Sequence, residues 1–200
     1  MQHAIRHLCG ADPVMAAVIE RIGEYGLRSR PADFETLVRS IAYQQLSGKV
    51  AAVILGRLIR AAGGALTPAS ILKLRPSRMR ALGLSTAKTA YIRDLARQTR
   101  DGLLVFEELS VLADAEVVER LTRVKGIGEW TAQMFLMFAL ERHDILPTKD
   151  LGIRAAMKKV YGLAELPTPD EMERIAVAWR PYCTVACWYL WRTVDGDANL

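Results

Sequence analysis

The residues of this 200-residue chain that could do chemistry gather in its second half. Asp150 follows Pro147-Thr148-Lys149, where a loop enters a helical stretch and both the helix start and Lys149 favour negative charge. Such a carboxylate can simply cap the helix beginning at Leu151. It can equally stabilise developing positive charge, or orient a water, beside a breaking bond. Trp130 stands twenty residues earlier, just after the turn Val124-Lys125-Gly126-Ile127-Gly128. Gly126 and Gly128 can take backbone angles closed to other residues and leave no Cβ in the way. A phosphate could therefore approach the N–H groups at the start of the following helix, with Lys125 adding charge at the same place. An ordinary turn between two helices fits the same letters. Near the end of the chain Tyr182, Trp188, Tyr189 and Trp191 form an aromatic cluster, which can pack a core or stack on a flat ligand.

Other chemistries are disfavoured. Cys9, Cys183 and Cys187 form no CxxC pair and cannot supply a four-cysteine cluster, so reduced thiols are expected. No 18-residue apolar run occurs, and the amino terminus lacks the order of a signal peptide. A cytoplasmic protein with no membrane partner is the expectation. Net charge is +5, and its distribution is uneven. Between Arg39 and Arg100 twelve basic residues face a single acid, Asp94. Charge concentrated in this way suits a polyanion through phosphate neutralisation and counterion release, although a solvated basic surface reads the same.

The elements that must position these residues read as helices nearly throughout. Phe34, Leu37, Val38 and Ile41 recur at spacings of three and four, as do Val50, Val53, Ile54 and Leu58 beyond Ser47-Gly48. Ser47 is expected to cap the second of these helices and Gly63-Gly64 to end it. Thr67-Pro68 reads as a cap followed by a first-turn proline. Ser85 opens a helix toward Arg100, and Asp114 is expected to cap one running through Arg123. Further helices are predicted over 129–141, 151–161, 169–179 and 184–194. No strand-length alternation competes. The expectation is an all-α fold, compact or divided into two helical lobes with a cleft.

The run VKGIGEWTAQMFLMFAL followed by ILPTKDLGIRAAM resembles the helix-hairpin-helix DNA glycosylases, and within them the alkyladenine branch of the 3-methyladenine DNA glycosylase II type. The stretches at 37–58, 81–96 and 179–192 have counterparts at matching places, so the resemblance covers nearly the whole chain. It implies a bilobal all-helical glycosylase core over 1–200, with the hairpin at about 114–141 and no extra amino-terminal β-domain. Helical pattern is recognisable from Asp12-Pro13.

The resemblance also implies roles. Asp150 becomes the catalytic carboxylate beside C1′ of an everted nucleotide. Trp130, Trp191, Met134 and Tyr182 become the base pocket, with Met134 standing where relatives often carry an aromatic residue. Lys125, Gly126, Gly128, Thr131 and Lys88 become DNA contacts, and Arg93 a further phosphate candidate. The turn Gln44-Gln45-Leu46-Ser47 becomes the wedge that fills the gap left by the base, with Gln45 or Leu46 at its tip. The backbone carbonyls of Thr122, Val124 and Ile127 would hold a Na+ or K+ ion, and no iron–sulfur cluster is expected. Bifunctional relatives carry a Schiff-base lysine where this chain has Trp130, so excision without strand scission is implied. The expected partner is double-stranded DNA with alkylated bases, met by a monomer. Two alternatives stay open: a bifunctional oxidised-base glycosylase/lyase, and a hairpin module that binds DNA without catalysis.

Overall fold

A computed structural model describes residues 1–194. The described residues form thirteen α-helices and one 3₁₀ turn, with no strand among them. They divide into two compact units: Arg30–Leu140, and Met1–Ser29 together with the chain from Glu141 onward.

The continuous unit contains α3 (Phe34–Tyr43), α4 (Gly48–Ala61), α5 (Pro68–Lys73), α6 (Pro76–Ala81), α7 (Thr86–Arg100), α8 (Phe106–Leu109), α9 (Asp114–Thr122) and α10 (Glu129–Phe138). α7 is its spine, packing against α3, α5 and α6. Ile92 and Leu95 of α7 are buried, as are Leu37 and Ile41 of α3, Ile71 of α5 and Met79 of α6. Caps set the helix starts. Thr67 accepts from Ser70 N–H at 3.1 Å, and Ser85 from Lys88 N–H at 3.1 Å. Ser47 makes no such bond at α4, contrary to expectation. At α9 the cap is Ala113, whose N–H is bonded by Glu116 at 3.0 Å, so Asp114 lies inside the helix rather than before it. α10 ends at Phe138, three residues short of the stretch its apolar run suggested, because apolar residues in the following loop continue the pattern without the helix.

The discontinuous unit contains α1 (Gln2–Ala11), α2 (Pro13–Ile22), α11 (Leu151–Tyr161), α12 (Pro169–Ala176), the 3₁₀ turn Val177–Trp179 and α13 (Cys183–Val194). α1 precedes the first helix legible in the sequence and fully buries only Ala4 and Leu8. α13 is the centre, packed by α2 and α11 and nearly continuously buried from Cys183 to Trp191. Asp12 ties α2 to α11 and the 3₁₀ turn: it caps α2, accepts from Trp179 Nε1 at 2.9 Å and from the Tyr161 hydroxyl at 2.5 Å. A buried carboxylate satisfied by this many donors fixes the helices that carry them.

Candidate active site

Asp150 is the N-cap of α11, and its side chain is 8% exposed. Oδ1 accepts two N–H groups, Ile153 of the backbone at 2.8 Å and Trp191 Nε1 of α13 at 3.1 Å. Capping therefore does not compete with chemistry here. The cap bond is among the interactions that fix the carboxylate. Gly152 makes the Trp191 bond possible, because a Cβ there would sit 3.1 Å from Asp150 Oδ1 and 3.2 Å from Trp191 Cδ1. The sequence named Trp191 but gave it the role of a ring; the structure adds its indole N–H as a director of the carboxylate.

The other aromatic residues of this unit do different things. Trp188 and Tyr189 pack with Tyr25, at ring-centroid separations of 4.8 Å for Tyr25–Trp188 and 4.9 Å for Trp188–Tyr189. The Tyr189 hydroxyl donates to Gly23 O at 3.0 Å. Tyr182 lies at the opposite end of α13 from Trp191, edge-on to His7 and 2.9 Å from His3 Nδ1. The structure thus does not bring Tyr182 to Asp150, because eight helical residues lie between it and Trp191. Burial pushes the Cys183 and Cys187 thiols up from their ordinary pKa, which leaves them inert as nucleophiles.

In the other unit, α9 and α10 form the hairpin. Gly126 takes φ +83°, a left-handed conformation, and a side chain there would run into the Tyr91 ring of α7. Gly128 differs from expectation. Its φ of −92° is open to any residue, and a Cβ there would meet only open space. What Gly128 leaves is open space before the first turn of α10. Lys125 is exposed and Thr131 is buried. Trp130 is 45% exposed, and Met134 is half-buried one turn further along α10. The hairpin backbone is held from α7: Asp94 Oδ2 accepts Lys125 N–H at 3.0 Å, and the Gln98 amide donates to Arg123 O at 3.1 Å. Burial alone would raise the Asp94 carboxyl, but the Lys125 N–H, Gln98 and Arg97 together outweigh it and hold it below the ordinary value.

The turn between α3 and α4 carries the wedge candidates. Gln45 has φ +55° and is exposed, as are Leu46 and Ser47. Gln44 was expected among DNA contacts; its Nε2 instead donates to Gly126 O at 2.9 Å. Lys88 was likewise expected on phosphate. Its ammonium donates to the carbonyls of Ala42 at 2.9 Å and Gln44 at 2.5 Å, and desolvation lowers its pKa. Arg93 donates to Leu74 O at 2.6 Å, at the end of α5. For Lys88 and Arg93 a helix's unsatisfied last carbonyls attract the nearest cation. Tyr91, Asp94, Gln98 and Gly152 were missed in the sequence; only the helical spacing of the first three was there to be seen.

Among the described residues, His, Cys, Asp and Glu form no group of three that could hold a metal. None of the helices among them is long and apolar enough to cross a membrane.

A glycine-opened hairpin followed by a buried aspartate at a helix start defines a class. Residues 38–181 match the HhH-GPD superfamily of base excision DNA repair proteins, and the chain belongs to that family. Within it, the chain is similar to DNA-3-methyladenine glycosylase 1 of Schizosaccharomyces pombe, 35% identical over 193 residues, which are 94% of this chain and 85% of the relative. The crystal structure of DNA-3-methyladenine glycosidase from Bacillus halodurans superposes with a TM-score of 0.88 at 39% identity, covering 95% of this chain and 88% of that one. The 3-methyladenine DNA glycosylase of S. pombe, solved in complex with abasic DNA, gives 0.86 at 35% identity, covering 99% and 100%.

Proposed function

We propose that this chain is a monofunctional DNA glycosylase that everts alkylated purines of the 3-methyladenine and 7-methylguanine type and hydrolyses their N-glycosidic bond. One observation carries the reading. A buried carboxylate, Asp150, is aimed by two N–H donors at the start of a helix, in a family whose members repair bases in DNA. As the C1′–N bond lengthens, positive charge grows on the sugar, and a fixed carboxylate stabilises it without reorganising. The same group orients the water that completes hydrolysis.

An N3- or N7-alkylated purine is cationic and already a good leaving group, so little acid catalysis on the base is needed. Electron-rich indoles such as Trp130 and Trp191 favour such a base by cation–π contacts worth on the order of 0.5–2 kcal/mol. Position 130 carries Trp where bifunctional relatives carry their Schiff-base lysine, so excision without strand scission follows. The hairpin holds a phosphate of double-stranded DNA at the start of α10, with Lys125 adding charge there, and Gln45 and Leu46 enter the base stack. The carbonyls of Thr122, Val124 and Ile127 suit a Na+ or K+ ion: they lie at the negative end of α9 and in its turn, and Val124 O, accepting Ile127 N–H at 3.1 Å, keeps a second lone pair. Such an ion would add positive charge beside the phosphate. The protein works as a monomer, inside the cell where its substrate is.

Methylated genomic DNA incubated with the protein should release 3-methyladenine and 7-methylguanine, identified by mass spectrometry of the free bases, and leave breaks only after alkali. Breaks without alkali would point to the bifunctional alternative, and no released base to a binding module.

A further inference from the structure

Four residues of α7 face the two loops that handle DNA in the reading above. Lys88, Tyr91, Asp94 and Gln98 are spaced by three, three and four, so they share one side of the helix. Lys88 binds the carbonyls of Ala42 and Gln44 at the end of α3. Tyr91 fills the space that Gly126 leaves, Asp94 takes the N–H of Lys125, and Gln98 bonds the carbonyl of Arg123. Gln44 then closes the circuit, its side-chain amide reaching Gly126 O across 2.9 Å. The backbone at Gln45 is left-handed, a conformation that is strained for a non-glycine residue and persists only where its surroundings impose it. Lys88 on one side and the Leu46 N–H to Tyr43 O bond of 3.2 Å on the other are what impose it.

We propose that Lys88 and Gln44 are positioning residues for strand opening: Lys88 fixes the turn from which Gln45 and Leu46 project, and Gln44 registers that turn against the phosphate-gripping hairpin. A wedge does useful work only if the backbone beside it is held at a fixed offset. Otherwise the loop recoils instead of the base. α7 supplies that offset as a rigid element, touching both loops without touching DNA. Lys88 is unsuited to phosphate contact for the same reason it suits this role: two of its three donors already point at carbonyls.

The proposal rests on the glycosylase reading, and the test separates the two. Single-turnover excision is measured on a duplex with one 7-methylguanine opposite cytosine, and on the same strand with the lesion opposite a tetrahydrofuran abasic analogue, where no pairing has to be broken. Lys88→Met and Gln44→Leu should each slow excision about tenfold or more on the paired lesion and about threefold or less on the unpaired one, since only the opening step is impaired. Lys88→Arg should restore part of the rate. A 2-aminopurine next to a tetrahydrofuran site reports unstacking directly and needs no excision; wild type should brighten it and both variants should not. Equal losses on the two duplexes, or unchanged brightening in Gln44→Leu, overturns the proposal. Absence of base release by wild type, with brightening intact, overturns the glycosylase reading alone. Should Lys88→Met fail to fold, Gln44→Leu, altered at a turn, carries the same comparison.

Discussion

At Asp150 one oxygen does two jobs. It accepts the Ile153 N–H in the first turn of α11 and the indole N–H of Trp191, and both bonds restrict where the carboxylate can point. Replacing it by asparagine keeps an acceptor for Ile153 but removes the charge. Asp150→Asn should bind lesion DNA as wild type does while losing about a hundredfold or more in single-turnover excision, roughly 3 kcal/mol of transition-state stabilisation. Near-native rates would remove the carboxylate from the mechanism. Gly152 offers a subtler probe. The Cβ of Gly152→Ala would press on both partners at 3.1–3.2 Å, so one of them must move by a few tenths of an ångström. Because misplacements of about 1 Å can cost ~100-fold, a loss of roughly tenfold is expected, with thermal stability little changed. Unaltered excision in that variant would show that the Asp150–Trp191 bond does not set the rate.

The hairpin is an element whose shape depends on a neighbour. Gly126 is needed twice, for its φ of +83° and for the Tyr91 ring packed where a side chain would stand. Gly126→Ala should therefore destabilise the protein by about 1–3 kcal/mol in urea unfolding and weaken DNA binding as well. Gly128→Ala, at an ordinary φ with open space around it, should leave stability unchanged and act on DNA binding alone. Asp94 makes the same element acid-sensitive. Its carboxyl is held below the usual value, so its contribution is complete above the unfolded pKa of about 3.9 and disappears as pH falls through the lower folded value. Hydrogen exchange at the Lys125 amide, whose N–H it accepts, should lose protection over that range, and Asp94→Asn should abolish the dependence. Protection that is flat with pH would mean the bond does not govern the hairpin.

For the whole molecule, the basic stretch is less available than its composition implied. Of the twelve cations between Arg39 and Arg100, Lys88 and Arg93 bind carbonyls, and Arg97 and Arg100 pair with Asp94 and Asp101. Lys49, Arg57, Arg60, Lys73, Arg75, Arg78 and Arg80 stay exposed. A protein that neutralises phosphates with such residues releases counterions. Affinity for undamaged duplex should thus fall by about tenfold or more between roughly 50 and 200 mM salt. Binding insensitive to salt over that range would show that these cations do not meet DNA.

The sequence by itself determined the helical character, the family and the position of the carboxylate. Each is written in short-range pattern: spacings of three and four, glycines in a turn, an aspartate at a fixed distance from a tryptophan. That pattern left the aromatic cluster at 182–191 undivided, and packing separated Trp188 and Tyr189, set edge-on to each other, from Trp191 beside Asp150. Only the tertiary structure decided what Lys88, Gln44, Asp94 and Gly152 do. Their partners lie elsewhere in the chain or hang on a clearance of tenths of an ångström, and hydrogen-bond satisfaction is settled by whichever carbonyl or N–H packing brings within about 3 Å. A lysine that composition assigns to phosphate can in this way belong to a helix end.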